Sequence, residues 1–467
     1  MVKNGDISVG FISLGCAKNV ADAEVMAGVL LDNGVALAAA PEVADVIIVN
    51  TCAFIDEARE ETAAAILQAC AHKRGGGCKC VVVTGCFAQR YNERLPAAFP
   101  EVDAFAGVDE IDNIAAIVRR VVAGESGVVE VSGRPKRLFR SPRPTLSFSG
   151  GPFSWLKIAE GCNRACAFCA IPAIRGRFRS HDVSSLVAEA ATLIQAGSRE
   201  INLISQDTVA FGRDRGESGA LEVLLRELDN LDGDFWIRVL YLYPSMISDS
   251  LLETIAGSRH ICRYFDVPLQ HSHEAVLRAM CRADTIEAVA TLPQRIRATV
   301  PDAVLRTTFL VGFPGERAPH FAHLLHYLEE AQFDHVGVFA YSAEEGTAAF
   351  EMRGVPSERV ARERQWRLVE AQKEVVRKIR QSLKGSDHKA LLIKPLPPRQ
   401  GETIWEARLE RQAADVDGIT RVAAVPAGKR SGDWLNVTIT GGYGYNLRAV
   451  ATDRDIMGRQ RFTGGDT

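Results

Sequence analysis

A threefold pattern near the N-terminus limits most strongly what this chain can fold into. Three short apolar runs, VGFISLGC, ADVIIVNTC and CKCVVVTGC, end at Cys16, Cys52 and Cys86, each cysteine preceded by a glycine or threonine. Such runs of Val and Ile read as buried parallel strands. Helix-like stretches at 22–33 and 55–71 lie between them. Strand–helix alternation predicts a doubly wound α/β sheet, in which ligands sit beyond the carboxyl ends of the strands. Cysteines 36 and 34 residues apart can therefore converge. On this pattern alone two readings stand: metal ligation, or small residues suited to burial.

The cysteine count sharpens the choice. There are 11, an odd number, in a chain whose N-terminus shows no apolar signal segment. A cytoplasmic protein is expected, and a disulfide framework is a poor reading there. With 55 Lys+Arg against 58 Asp+Glu, the net charge of −3 argues against a protein held mainly by many phosphate contacts. No apolar run is long enough to cross a bilayer, so no membrane association is expected.

The 467 residues predict several domains. Residues 124–133 read as a turn-rich strand pair. RPKRLFRSPRP at 134–144 is too rich in proline for regular structure, and is either a solvated connector or an electrostatic contact to a ribosomal or nucleic-acid surface. The α/β rhythm then returns. Strands are expected at 155–158, 201–204, 236–241, 264–268, 305–311 and 335–339. Helices are expected at 183–196, 221–228, 248–256, 273–280, 285–300 and 318–330. These βα units predict an incomplete barrel or a large open sheet. A charged helix at 359–381 follows, with Ser357 as its cap. Past Lys384, β-branched segments separated by Gly and Pro predict a small all-β barrel of about five strands. The expected division is 1–125, a linker at 126–149, 150–385, a β-barrel at 386–452 and a tail at 453–467.

EGCNRACAFCAIP at 160–172 places Cys162, Cys166 and Cys169 as C-x3-C-x2-C just after a strand. Three thiolates in one loop can hold three irons of a 4Fe-4S cube and leave the fourth open. A structural zinc site wants four closed ligands, and no partner pair stands nearby. Phe168 lies where it could pack over a cluster, or simply anchor the loop.

The triplet resembles that of the radical S-adenosylmethionine superfamily. Together with SLGCAKN (13–19), NTCAFI (50–55), TGCFAQR (84–90), PLQHSH (268–273) and VGFPGE (311–316), the chain is similar to the radical S-adenosylmethionine methylthiotransferase family. The resemblance implies an N-terminal doubly wound α/β domain, a central partial barrel and a small C-terminal β-barrel of TRAM type. It implies two 4Fe-4S clusters, on Cys162, Cys166 and Cys169, which serve catalysis, and on Cys16, Cys52 and Cys86. S-adenosyl-L-methionine is the implied cofactor, with Phe168, Gln206, Gln270, Gly312 and Gly315 around it and Asp207 and His271 orienting substrate or cofactor. Asp207 as a helix cap and His271 as a structural histidine are the alternatives. One departure is His181, where the family has arginine. The implied substrate is an aspartate of ribosomal protein S-twelve, free or in the small subunit. SLGCAKN with Lys18, the triplet segment and ISQDT favour it over isopentenyladenosine in tRNA. An external electron donor and a sulfur donor are implied partners. A non-catalytic iron–sulfur redox sensor that binds RNA is the reading from another class. Cys70, Cys78 and Cys80 read as free thiols far from the ligands, with an adventitious metal or redox group as the alternative, and Cys262 and Cys281 as buried small residues.

Overall fold

The computed structural model describes residues 7–139, 148, 150–399 and 402–452. Part of the basic 134–144 segment and the tail from 453 onward lie outside the described residues.

The three cysteine-terminated runs are strands β1 (Ser8–Ser13), β3 (Val46–Thr51) and β4 (Cys80–Gly85). With β2 (Ala36–Leu37), β5 (Ala104–Ala106) and β6 (Val128–Glu130) they form one parallel sheet in the order β2-β1-β3-β4-β5-β6. Every residue of β3 and β4 is buried, which explains their unbroken apolar character. Helices Ala17–Asp32 and Ile114–Val122 pack on one face, through Val25, Met26, Leu30, Ile117 and Val118. Helix Asp56–Arg74 packs on the other, through Ile66 and Ala69. The direction of winding reverses between β1 and β3, so Cys16 and Cys52 flank the switch point.

Two local expectations change. The first helix begins directly after Cys16, five residues before the expected start at 22. Cys16 occupies the N-cap without bonding through its side chain, so no capping residue announces the start. Residues 124–133 form one short strand, Val128–Glu130, and no hairpin: the stretch between Gly127 and Gly133 pairs in parallel with the existing edge strand β5.

The middle of the chain is a partial barrel. Strands β7 (Phe153–Lys157), β10 (Glu200–Ile204) and β11 (Trp236–Val239) form one parallel triplet. Strands β12 (Tyr264–Asp266), β13 (Val304–Val311) and β14 (His335–Ala340) form another. A parallel bridge between Ile237 and Ile261 and the Leu242 amide donating to Asp266 O (2.8 Å) join them. A two-stranded piece, β8 (Ala159–Glu160) with β9 (Arg179–Ser180), brackets the cysteine triplet. The outer helices stand where periodicity places them. The charged helix runs Glu358–Leu383, and Ser357 is its N-cap without a side-chain capping bond.

Strands β15 (Asp387–Arg399), β16 (Glu402–Leu409), β17 (Thr420–Ala423), β18 (Trp434–Tyr443) and β19 (Asn446–Ala451) close into a barrel. This barrel plugs the amino-terminal end of the half-barrel. Leu391, Ile393, Ala413 and Ala414 share one apolar cluster with Phe153, Trp155, Trp236 and Tyr264. Under that cluster, buried Glu200 accepts from Arg238 (2.8 Å) and Arg408 (2.5 Å), and Tyr264 donates to Asp417 (2.6 Å). Helix Ala17–Asp32 lies against β7, with Ala21 in the same cluster, so this helix forms one of the contacts by which the first sheet docks onto the half-barrel. Among the described residues, no helix is long and apolar enough to cross a membrane.

Candidate active site

The first trio is built at strand ends. Gly15 and Gly85 precede Cys16 and Cys86, with φ of +91° and +94°. A Cβ on Gly15 would stand 2.7 Å from Cys52 Cβ, and one on Gly85 would stand 2.6 Å from Asn50 Oδ1. Only glycine permits both the left-handed backbone and this close approach. The turns are locked by Asn19, whose amide donates to Leu14 O and Thr51 O (2.9 Å each), and by Thr51, whose hydroxyl donates to Thr84 O (2.5 Å). Cys16 is exposed at a helix N-terminus, while Cys52 and Cys86 are buried. Burial pushes the Cys86 thiol up to about 11 against the opposing pull of Arg175, and Cys16 and Cys52 are close enough to add to the rise.

The second trio lies in the segment between β8 and β9. Cys162 is buried, and Cys166 and Cys169 are partly so. The loop is pinned by its backbone: Ala167 N donates to Met280 O (3.0 Å) and Ala349 N to Ala167 O (2.8 Å). Burial raises the thiols of Cys162 to about 11 and Cys169 to about 12, and the other thiols of the trio push the same way. Arg164 and Arg282 lie against Tyr243, 3.6 and 4.5 Å from its ring centre. Arg164 Nε donates to Asp207 (2.7 Å), and Arg282 reaches Cys166 Sγ (3.5 Å).

A buried ionic network joins the two trios. Arg175, 1% exposed, donates to Cys86 Sγ through Nε (3.3 Å) and Nη2 (3.2 Å). It also donates to Asn19 Oδ1 (2.6 Å), Asp22 (2.7 Å) and Glu160 (3.2 Å). Lys157 pairs with Asp22 (2.6 Å) and with Glu160. Gln206 Nε2 donates to the second Glu160 oxygen (2.8 Å). On the far rim, Arg90 donates to Ala53 O (2.8 Å) and Glu344 (2.9 Å), and Ser342 to Asp56 (2.9 Å), so the first sheet grips the half-barrel on two sides.

The remaining expected residues divide. Gln206 and Asp207 stand beside the triplet, and Gln206 Oε1 and Asp207 Oδ1 are buried with no hydrogen-bond partner among the described residues. Phe168 meets Phe313 edge-on at 6.4 Å. Gln270, at φ +71°, bridges to Phe309 through its backbone. Gly315 faces open space, but the space beside Gly312 is filled from within the protein, a Cβ there standing 2.6 Å from Ala361 Cβ. His271 is fully buried. Its Nδ1 accepts from His273 N (2.9 Å) and its Nε2 faces Glu316 (3.7 Å), so it braces the VGFPGE turn from beneath. His181 is buried against Phe139 (5.6 Å). Cys70 and Cys78 lie in the apolar layer under helix Asp56–Arg74, whereas Cys80 lies in the opposite layer, so the three share no face. Cys262 is buried as expected; Cys281 is exposed, because it sits in a left-handed turn at φ +55° after helix Glu274–Ala279.

Sequence reading passed over Arg175, Asp22, Glu160, Lys157, Arg164 and Arg282 as site residues. Lys157 in the otherwise apolar WLKIA strand was the available signal, since a buried charge needs a partner.

The residues fit the groups the motifs imply. A guanidinium giving two N–H donors to Cys86 Sγ suits a thiolate far better than a thiol. The orphaned Gln206 and Asp207 oxygens are acceptors awaiting a ligand with ammonium or hydroxyl donors. Among the described residues no three His, Cys, Asp or Glu side chains are arranged to grip a single metal ion. A cube spreads its thiolates over different irons.

Fold and site together define a radical S-adenosylmethionine enzyme. The radical SAM superfamily model matches residues 156–328, and the uncharacterized protein family UPF0004 matches residues 8–107. Among solved structures, the radical S-adenosylmethionine methyltransferase TsrM from Kitasatospora setae shares the fold at a TM-score of 0.54 and 14% identity, over 71% of this chain and 73% of that one. The ribosomal protein uS12 methylthiotransferase RimO of Geobacter sulfurreducens is 41% identical over 96% of this chain and 99% of its own length. That of Symbiobacterium thermophilum is 42% identical over 96% and 91%. The chain belongs to the family of ribosomal protein uS12 methylthiotransferases and is a methylthiotransferase.

Proposed function

We propose that this enzyme transfers a methylthio group to the β-carbon of an aspartate in ribosomal protein uS12. The observation that carries the reading is the pair of cysteine trios at the carboxyl ends of two sheets, with one buried network between them. Identity above 40% to uS12 methylthiotransferases over nearly the whole chain supports the substrate.

In this reading Cys162, Cys166 and Cys169 hold one 4Fe-4S cluster and Cys16, Cys52 and Cys86 a second, each with an iron left open. When bound, the first supplies the electron that cleaves S-adenosylmethionine to a hydrogen-abstracting radical, and the second carries the sulfur to be transferred. The chain's own residues do the placing. Gln206 and Asp207 offer acceptors to the cofactor's donors, and Arg164 fixes the Asp207 carboxylate. Phe168 packs edge-on against Phe313 of the turn in which Gly315 faces open space. The Arg90–Glu344 clasp holds the two cysteine trios in register. An external electron donor and a sulfur donor complete the cycle.

The test offers anaerobically reconstituted, reduced enzyme and S-adenosylmethionine a uS12 loop peptide and a tRNA anticodon arm bearing isopentenyladenosine. Mass spectrometry reads both. A gain of one sulfur and one CH2 on the peptide's aspartate is expected. The same gain on the RNA alone would overturn the substrate and keep the chemistry.

A further inference from the structure

The two domains meet at a residue that belongs to one and serves the other. Arg175 ends the short helix Ile171–Arg175 that follows the cysteine triplet, yet its guanidinium lies on Cys86 of the first sheet. It is among the largest fully buried side chains in the molecule. Its donors are spread over four partners: Cys86 Sγ, Asn19 Oδ1, Asp22 and Glu160. Lys157 shares both carboxylates, so two cations face two anions before Cys86 is counted. If Cys86 is a thiolate, it makes the buried set one negative charge in excess, and Arg175 is the cation in contact with it. A buried anion of this kind is tolerable only with such a donor.

We infer that Arg175 is a positioning residue of the barrel domain that sets the electronic character of the cluster on Cys16, Cys52 and Cys86. The inference rests on the second-cluster reading above and goes beyond it. Hydrogen bonds to a ligand sulfur withdraw negative charge and raise a cluster's reduction potential. Arg175 supplies two, together with a full positive charge. Through Glu160 it also touches Gln206, beside the triplet, so the same guanidinium bears on both halves of the site. Asn19 plays the complementary part within the first domain: its Oδ1 accepts from Arg175 and lies 3.8 Å from Cys86 Sγ.

The experiment uses the full-length protein carrying Cys162→Ala, Cys166→Ala and Cys169→Ala, so that any remaining cluster is the N-terminal one. Onto this background are placed Arg175→Met, Arg175→Lys and, to keep the buried charge balanced, the pair Arg175→Met with Asp22→Asn. Iron and sulfide content, an EPR-monitored redox titration and the EPR line shape are read. The expected result is retention of one cube in the background protein, a more negative potential and altered line shape in both Arg175→Met proteins, and partial return in Arg175→Lys. Arg175→Met in the intact enzyme should cost on the order of 10–100-fold in methylthio transfer. Cofactor cleavage at the triplet should fall far less. An unchanged potential and line shape in all three variants would overturn the inference. A background protein without iron would instead overturn the second-cluster reading. If Arg175→Met alone fails to fold, the charge-balanced pair and Arg175→Lys decide.

Discussion

Single atoms decide whether the strand ends can present thiols at all. Gly85 has room for no side chain, with Asn50 Oδ1, Thr51 O and Thr51 N all within 3 Å of where a Cβ would be. Gly85→Ala is therefore expected to cost about 1–3 kcal/mol, read as a lower unfolding midpoint, and to displace Cys86 so that iron content falls by one cube. Cysteine substitutions should separate the two trios by what they spare. Cys162→Ala should abolish cleavage of S-adenosylmethionine. Cys52→Ala should leave cleavage intact and stop methylthio insertion, so methylthio product from that variant would refute the two-trio assignment. These cysteines were legible because spacing and strand context speak locally. The network between them was not. Arg175 and Asp22 are 153 residues apart and Lys157 and Asp22 are 135 apart, and no local pattern pairs them.

At the level of elements, periodicity and burial agree well. The barrel strands and helices fall within a few residues of where apolar runs and 3.6-residue spacing put them, because each is a continuous segment whose buried face is written in its own sequence. What sequence could not supply was which element fills a neighbour's gap. The VGFPGE turn reads as an approach to a ligand, yet the space at Gly312 is taken by Ala361 of helix Glu358–Leu383. Arg364 of the same helix donates to Glu316 O (3.2 Å) and pairs with its carboxylate (3.3 Å). The long helix is thus the mount of the turn. Ala361→Leu would overpack this contact, at about 1–3 kcal/mol, and push the turn toward the site. Weaker S-adenosylmethionine binding by equilibrium dialysis is expected, with turnover down by on the order of 100-fold and the iron content unchanged.

For the whole molecule, the joint between half-barrel and small barrel is ionic at its centre. Burial alone would raise the Glu200 carboxyl, but Arg408 and Arg238 outweigh it and hold the group below the usual carboxylate range. A carboxylate lowered in the folded state adds stability that is complete above its unfolded value of about 4.3 and lost as the pH falls below it. The unfolding midpoint should therefore drop through this acid range, and Glu200→Gln should flatten that limb while lowering the plateau at neutral pH. Calorimetry across pH 3–7 checks both. The network around Arg175 has a different consequence, one of time. Synthesis runs from the N-terminus, and domains generally fold as they emerge. The strands bearing Cys16, Cys52 and Cys86 are complete well before Lys157 and Arg175 leave the ribosome. Until then Asp22 has neither of its cations, and the Ala21 side of helix Ala17–Asp32 lacks the half-barrel residues it packs against. The nascent first domain thus carries Asp22 without its partner cations until the start of the barrel arrives.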